Sequence, residues 1–119
     1  MVNVSLGRND NERTVLKLIR AMELGTLDQS IDELCSSEFI WANSGLSTIY
    51  GLEQLRGHMA SGGFSNDIPI LKKMTHFSAE LLNLASDNDI VFTERLDHHW
   101  DKSGRDLMTP HICGGVQGS

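Results

Sequence analysis

The sequence predicts an α+β fold in which N-terminal helices pack on one face of a curved antiparallel sheet. In the first half of the chain, apolar residues recur at the spacing of amphipathic helices. From about residue 74 onward, strand-like apolar runs are separated by polar turns. Helices followed by a meander of strands are typical of the α+β class. At 119 residues the chain is expected to form one domain, residues 1–119, because it is too short for two cores.

Three helical segments are predicted. The first begins after the potential capping residues at positions 9–11 and ends at Gly25, a typical helix C-cap. A shorter helix follows Thr26, and a third runs from Gly51 to about Met59. The apolar stripe of the first helix consists of Val15, Leu16, Ile19, Met22 and Leu24.

Four strands complete the predicted fold. A short one covers residues 38–43, and the others cover about 74–84, 90–100 and 105–117. Polar turns at residues 86–89 and 101–104 connect the last three. A sheet of this kind has an exposed edge. Either another chain covers that edge or the sheet is shorter than those of its relatives.

Composition excludes several classes of partner. The net charge of −6 argues against binding to nucleic acid or to an anionic membrane, because phosphate binding depends on clustered Lys and Arg. No apolar run approaches the roughly 20 residues that span a bilayer. The polar N-terminus has no secretion signal, so a cytoplasmic location is expected. Cys35 and Cys113 are accordingly expected to be reduced, buried thiols.

The strand at residues 90–100 carries the candidate site. Arg95 and Asp97 are two positions apart, so their side chains point to the same face. Two arrangements are open. The apolar face, with Phe92 and Trp100, can form the core and leave the charged face in water. Alternatively the charged face, including His99, lines a cavity while the apolar face meets a second subunit.

The second arrangement has a definite chemistry. A carboxylic acid beside a guanidinium in an apolar pocket feels desolvation and a positive neighbour, which act on its pKa in opposite directions. Such a group can protonate a leaving oxygen if a second carboxylate activates water. Asn43 could position that water, and Trp41 or Tyr50 could form a pocket wall.

The histidines do not predict a metal site. His98 and His99 are adjacent in a strand and point to opposite faces. The chain has no H-E-x-x-H or Cys-x-x-Cys spacing, so no metal is expected. His111 falls opposite Arg95 or Leu96, depending on the hairpin register. It is either a structural histidine or, if it faces inward, a possible base.

The run from Ile90 to Asp97, with the sequence IVFTERLD, resembles the active-site strand of limonene-1,2-epoxide hydrolases. Residues 39–44 (FIWANS) resemble that family's Tyr-x-Asn segment, and Tyr50-Gly51 resembles its next helix start. The order of elements agrees from about residue 12 to residue 117. The family lies in the superfamily of nuclear-transport-factor-like and SnoaL-like cone folds, with ketosteroid isomerases and polyketide cyclases.

The resemblance implies a sheet wrapped around a deep apolar pocket, and a homodimer formed through the sheet. Asp97 would protonate the epoxide oxygen, Arg95 would bridge two aspartates, and Asn43 would help hold the nucleophilic water. Trp41 takes the place of a family tyrosine, and its indole N–H can only donate a hydrogen bond. Tyr50, His99 and His111 complete the expected pocket. No cofactor is expected.

The sequence departs from this family at its end. The family continues into a final strand bearing Trp-Arg-Asp, whose aspartate is the general base, whereas this chain ends after the strand near residue 117. Three functions are therefore considered. They are epoxide hydrolysis with another base such as His111, non-catalytic binding of a small apolar ligand, and proton transfer of the isomerase or cyclase kind.

Overall fold

The computed structural model describes residues 1–118 and confirms the α+β fold. The helices are α1 (Asp10–Leu24), α2 (Leu27–Leu34) and α3 (Leu52–Ala60). The strands are β1 (Ile40–Asn43), β2 (Ile49–Tyr50), β3 (His76–Asp87), β4 (Ile90–Trp100), β5 (Asp106–Met108) and β6 (His111–Gln117). Short 3-10 helices cover Val4–Leu6, Gly63–Asn66 and Pro69–Lys73.

The longest helix, α1, is fixed at both ends by its own sequence. The Asn9 side chain accepts a hydrogen bond from the backbone N–H of Glu12 at 2.9 Å, which satisfies a donor that the helix leaves free. Gly25 ends the helix with a φ of 69°, a conformation that glycine adopts without strain. Val15, Leu16 and Ile19 of the apolar stripe of α1 are buried against the sheet, whereas Leu24 at the end of the helix is exposed.

The six strands form one antiparallel sheet with the order β2-β1-β6-β4-β3, and β5 pairs with β4. Strand β4 therefore lies between β3 and β6. Its Asp97 pairs with Ala79 of β3, and its Arg95 pairs with Ile112 of β6. The helices cover one face of the curved sheet, which we call the inner face. The opposite face is called the outer face. This arrangement flanks the middle of β4 with a paired strand on each side.

The strand bounds differ from the sequence prediction at three points. The predicted strand 105–117 is divided, because Pro110 has no N–H to donate to a strand ladder. Its carbonyl still accepts from the backbone N–H of Asp97 at 3.0 Å. Strand β3 extends to Asp87, so its hairpin turn has only two residues, and Asn88 takes a positive φ of 55°. The two-residue strand β2 was not predicted. In the described part of the chain, no helix is long and apolar enough to cross a bilayer.

Candidate active site

The Arg95 face of β4 is the inner face. Arg95 is 4% exposed and Asp97 is 7% exposed, and Thr93 on the same face is also buried. On the outer face, Phe92 is 49% exposed. The alternative of a solvated charged face is therefore wrong. Alternation along the strand correctly predicted which side chains share a face. The apolar pattern taken alone, however, predicted that the Phe92 face forms the core, and this was wrong.

The Arg95 guanidinium is the centre of a buried hydrogen-bond network. Its Nε donates to Oδ1 of Asp97 at 3.0 Å and its Nη2 donates to Oδ2 at 3.0 Å. Nη2 also donates to Oδ1 of Asn43 at 3.0 Å, and Nη1 donates to the Thr93 hydroxyl. Two parallel bonds between a guanidinium and a carboxylate fix both planes, so the geometry of Asp97 is set by Arg95.

Asn43 reaches Arg95 from a different strand because of a glycine between them. Gly114 of β6 pairs with Asn43 on one side and with Thr93 on the other. A Cβ atom at Gly114 would lie 2.4 Å from Asn43 Oδ1 and 2.9 Å from Arg95 Nη1. The space that Gly114 leaves empty is thus the space in which the Asn43–Arg95 hydrogen bond runs.

Thr93 and Gly114 belong to the network, yet neither was predicted as a site residue. A glycine inside a strand is a known sign that other groups approach the backbone closely, and that was the available signal for Gly114. Thr93 shares the face of Arg95 two residues away, so strand alternation could have included it.

The orientation of Asn43 limits what its side chain can do for a ligand. Because Oδ1 accepts from Arg95, the Nδ2 group is the part of this amide that remains as a donor. Asn43 can therefore donate to an oxygen atom, either that of a ligand or that of the water which the sequence analysis expected it to position. Each carboxylate oxygen of Asp97 keeps a second lone pair beside its bond to Arg95.

Trp41 and His99 also lie on the inner side of the sheet. Trp41 is 5% exposed, and its ring centroid is 6.4 Å from that of Phe64. His99 is half-buried, with its ring centroid 5.4 Å from that of Phe77. Its Nδ1 lies 3.1 Å from the Met108 carbonyl oxygen, which can only accept, so Nδ1 carries the proton in that contact. The Nε2 of a neutral His99 is then a free acceptor.

Tyr50 and His111 are not brought to the inner face. Tyr50 lies on the edge strand β2 and is 62% exposed. His111 pairs with Leu96, which settles the register, and it points to the outer face, where its Nε2 lies 2.7 Å from Oε2 of Glu94. The expectation that these two residues line an interior pocket is corrected, because each belongs to a solvent-facing position of its strand.

Two further carboxylates are buried, and both have structural partners. Glu23 accepts from the backbone N–H of Val2 at 2.8 Å and from that of Ala79 at 2.9 Å. Glu12 is held by Arg8 and Ser86. Neither is free to activate a water beside Asp97. Among the buried acids of the described residues, Asp97 therefore remains the candidate site acid.

No family model and no curated protein matches the sequence. Solved structures do match. A structure of an LEH-like epoxide hydrolase from M. tuberculosis is 19% identical with a TM-score of 0.57, over 87% of this chain and 68% of that chain. A designed NTF2-like protein, a substituted form of Rd1NTF2_05, is 23% identical with a TM-score of 0.55, over 95% of this chain and 89% of that chain. The chain therefore has the NTF2-like cone fold, which it shares with an LEH-like enzyme.

Proposed function

We propose that this protein adds water to a small apolar epoxide, with Asp97 as the proton donor. The observation that carries the proposal is the bidentate Arg95–Asp97 pair, buried on the inner face within reach of the Asn43 amide. A buried acid held in one orientation can deliver a proton to one oxygen, while an amide N–H₂ beside it can bind the same oxygen. The fold shared with an LEH-like epoxide hydrolase supports this assignment.

His99 is the base that we propose for the attacking water. It lies two residues beyond Asp97 on the same strand face, which separates the two backbone positions by about 6.7 Å. Its Nδ1–H is held by the Met108 carbonyl, so Nε2 is available to accept a proton. A base oriented through its other nitrogen is the usual arrangement for a catalytic histidine. This replaces His111, which faces outward.

The proposed reaction balances without a cofactor. The water oxygen bonds to one epoxide carbon as the bond from that carbon to the epoxide oxygen breaks. In the reacting form Asp97 is protonated on the lone pair that its bonds to Arg95 leave unused, and it gives that proton to the epoxide oxygen while His99 Nε2 takes a proton from the water. The product is a vicinal diol, and a proton then returns from His99 to Asp97 through solvent.

Product analysis tests the proposal. The protein is incubated with limonene oxide or cyclohexene oxide in ¹⁸O-labelled water, and the diol is measured by mass spectrometry. We expect one labelled oxygen per diol, and loss of activity by about 10²–10⁴-fold in His99→Gln and in Asp97→Asn. Asp28→Asn is the matched control, because Asp28 is an exposed acid on α2. If the unsubstituted protein forms diol no faster than the Asp97→Asn variant, the proposal is wrong.

A second candidate is proton transfer within a ketone, as in isomerases and cyclases. The specific observation is that both Asp97 oxygens accept hydrogen bonds from Arg95, an arrangement suited to a carboxylate that takes a proton and returns it. Such chemistry needs no water-activating group. Exchange of a ketone's α-hydrogen for deuterium, dependent on Asp97 but not on His99, would favour this function over hydrolysis.

A further inference from the structure

The outer face of the sheet carries a cluster that lies apart from the buried network. Glu94 of β4 pairs directly with Cys113 of β6, and His111 precedes Cys113 by two residues. Side chains at paired and alternate positions share a face, so all three point outward together. A carboxylate oxygen of Glu94, a ring nitrogen of His111 and the Cys113 sulfur all lie within 4.8 Å of one another. We call these residues the outer trio.

We propose that the outer trio binds a thiophilic divalent cation, with Zn²⁺ as the expected ion. A thiolate, an imidazole and a carboxylate are all ligands that Zn²⁺ takes, and the thiolate disfavours Mg²⁺ and Ca²⁺. For tetrahedral Zn²⁺, the bond lengths to S, N and O place the donor atoms about 3.4–3.6 Å from each other. The donor atoms of the outer trio need shifts of about 1 Å to reach these separations.

Those shifts are open to the side chains concerned. The His111 side chain is 54% exposed and that of Glu94 is 32% exposed, so neither is locked by core packing. Cys113 is an exposed free thiol, which corrects the expectation that it would be buried. By contrast, Cys35 is buried, and burial raises its pKa to about 11. The backbone of β4 and β6 is fixed by the ladder and need not move.

A second layer of contact already orients the carboxylate. Asn83 of β3 donates from Nδ2 to Glu94 Oε1 at 2.6 Å, which leaves Oε2 directed toward His111 at 2.7 Å. Outer partners of this kind typically hold a metal ligand in place. On binding, Zn²⁺ takes the position between Oε2 and Nε2, so the proton that these two atoms share moves to His111 Nδ1 or to buffer. The proton of the Cys113 thiol passes to buffer as the Zn–S bond forms.

The outer trio leaves one coordination position of a tetrahedral ion open. Glu94 and Cys113 both line an outer-face groove of about 530 Å³, together with Ser44 and Phe92. In a single copy of the chain, a fourth ligand such as water can reach the ion from this groove. The site is missed by motif spacing because its ligands come from two strands, 17 residues apart between Glu94 and His111.

Metal titration of the full chain tests the proposal. The affinity and stoichiometry of Zn²⁺ binding are measured by calorimetry. Co²⁺ is added in a separate experiment, and the absorption spectrum is recorded to detect the thiolate-to-metal charge-transfer band. We expect one ion per chain and a Co²⁺ band that Cys113→Ser abolishes. His111→Asn should weaken binding by more than the roughly 10–100-fold typical of outer-shell loss, and Asn83→Ala should weaken it by about tenfold.

His76→Asn is the matched control, because His76 is an exposed histidine on neighbouring β3 outside the trio. The affinity of the His76→Asn variant for Zn²⁺ should equal that of the unsubstituted protein. All variants change exposed or half-buried side chains, and circular dichroism checks that they fold. The absence of a thiolate band, or Zn²⁺ affinity unchanged in Cys113→Ser and His111→Asn, would overturn the proposal. Neither result depends on epoxide hydrolysis.

Discussion

Arg95 and Asp97 form a bidentate ion pair inside the protein, with Nε to Oδ1 and Nη2 to Oδ2 both at 3.0 Å. The two residues are two positions apart on one strand, so the strand geometry itself brings their side chains together. Removing one partner would leave an uncompensated buried charge, whereas removing both would not. The pair therefore has a testable signature in stability as well as in chemistry.

We expect Asp97→Asn and Arg95→Met each to lower the free energy of unfolding by about 3–5 kcal/mol. The double variant should lose clearly less than the sum of the two single losses, because no buried charge remains unpaired. Urea unfolding followed by circular dichroism measures all three. Asp28→Asn should stay within about 0.5 kcal/mol of the unsubstituted protein. Strictly additive losses would show that the two side chains are not coupled.

Gly114→Ala should break the contact between Asn43 and Arg95. The added Cβ would lie 2.4 Å from Asn43 Oδ1 and 3.2 Å from the Ala42 carbonyl oxygen, so the network must shift. We expect a loss of about 1–3 kcal/mol in the free energy of unfolding, typical of overpacking.

Gly115→Ala is the control for this substitution, since its Cβ would meet only the Phe92 ring at 3.7 Å, an ordinary contact. Both variants add one methyl group to neighbouring positions of β6. Equal stability of the two in urea would show that the space at Gly114 is not needed.

Glu12 predicts a pH dependence of stability. Hydrogen bonds from Arg8 and Ser86 lower the pKa of this carboxyl from 4.5 to about 2. Since the folded pKa lies below the unfolded value, this contribution is complete above pH 4.5 and is lost as the pH falls toward about 2.

The unfolding free energy of the unsubstituted protein should therefore fall more steeply in that pH window than that of Glu12→Gln. Urea titrations at a series of pH values provide the comparison. Glu53→Gln, an exposed acid in the first turn of α3, should keep the steep dependence. Parallel curves for Glu12→Gln and the unsubstituted protein would refute the assignment.

Association through the sheet remains a prediction, and Phe92 is the residue with which to test it. Phe92 is 49% exposed on the outer face, where a second copy would cover it. We expect sedimentation velocity to show a dimer that Phe92→Lys converts to monomer. Leu24→Lys, at an apolar position that is 55% exposed at the end of α1, should leave the dimer intact. If the unsubstituted protein sediments as a monomer, the prediction is wrong.

The sequence by itself determined the features that depend on neighbouring residues. Helical spacing and the caps at Asn9 and Gly25 located α1, and strand alternation placed Arg95 beside Asp97. Both follow from local backbone geometry, which repeats every few residues.

The tertiary structure decided which face of β4 is buried, because that depends on what the helices cover. It also decided the contacts between strands. The Arg95–Asn43 bond joins residues 52 positions apart, and the outer trio exists only in the register that places Glu94 opposite Cys113. A slip of one residue would send those side chains to the other face, so local pattern cannot specify them without the pairing.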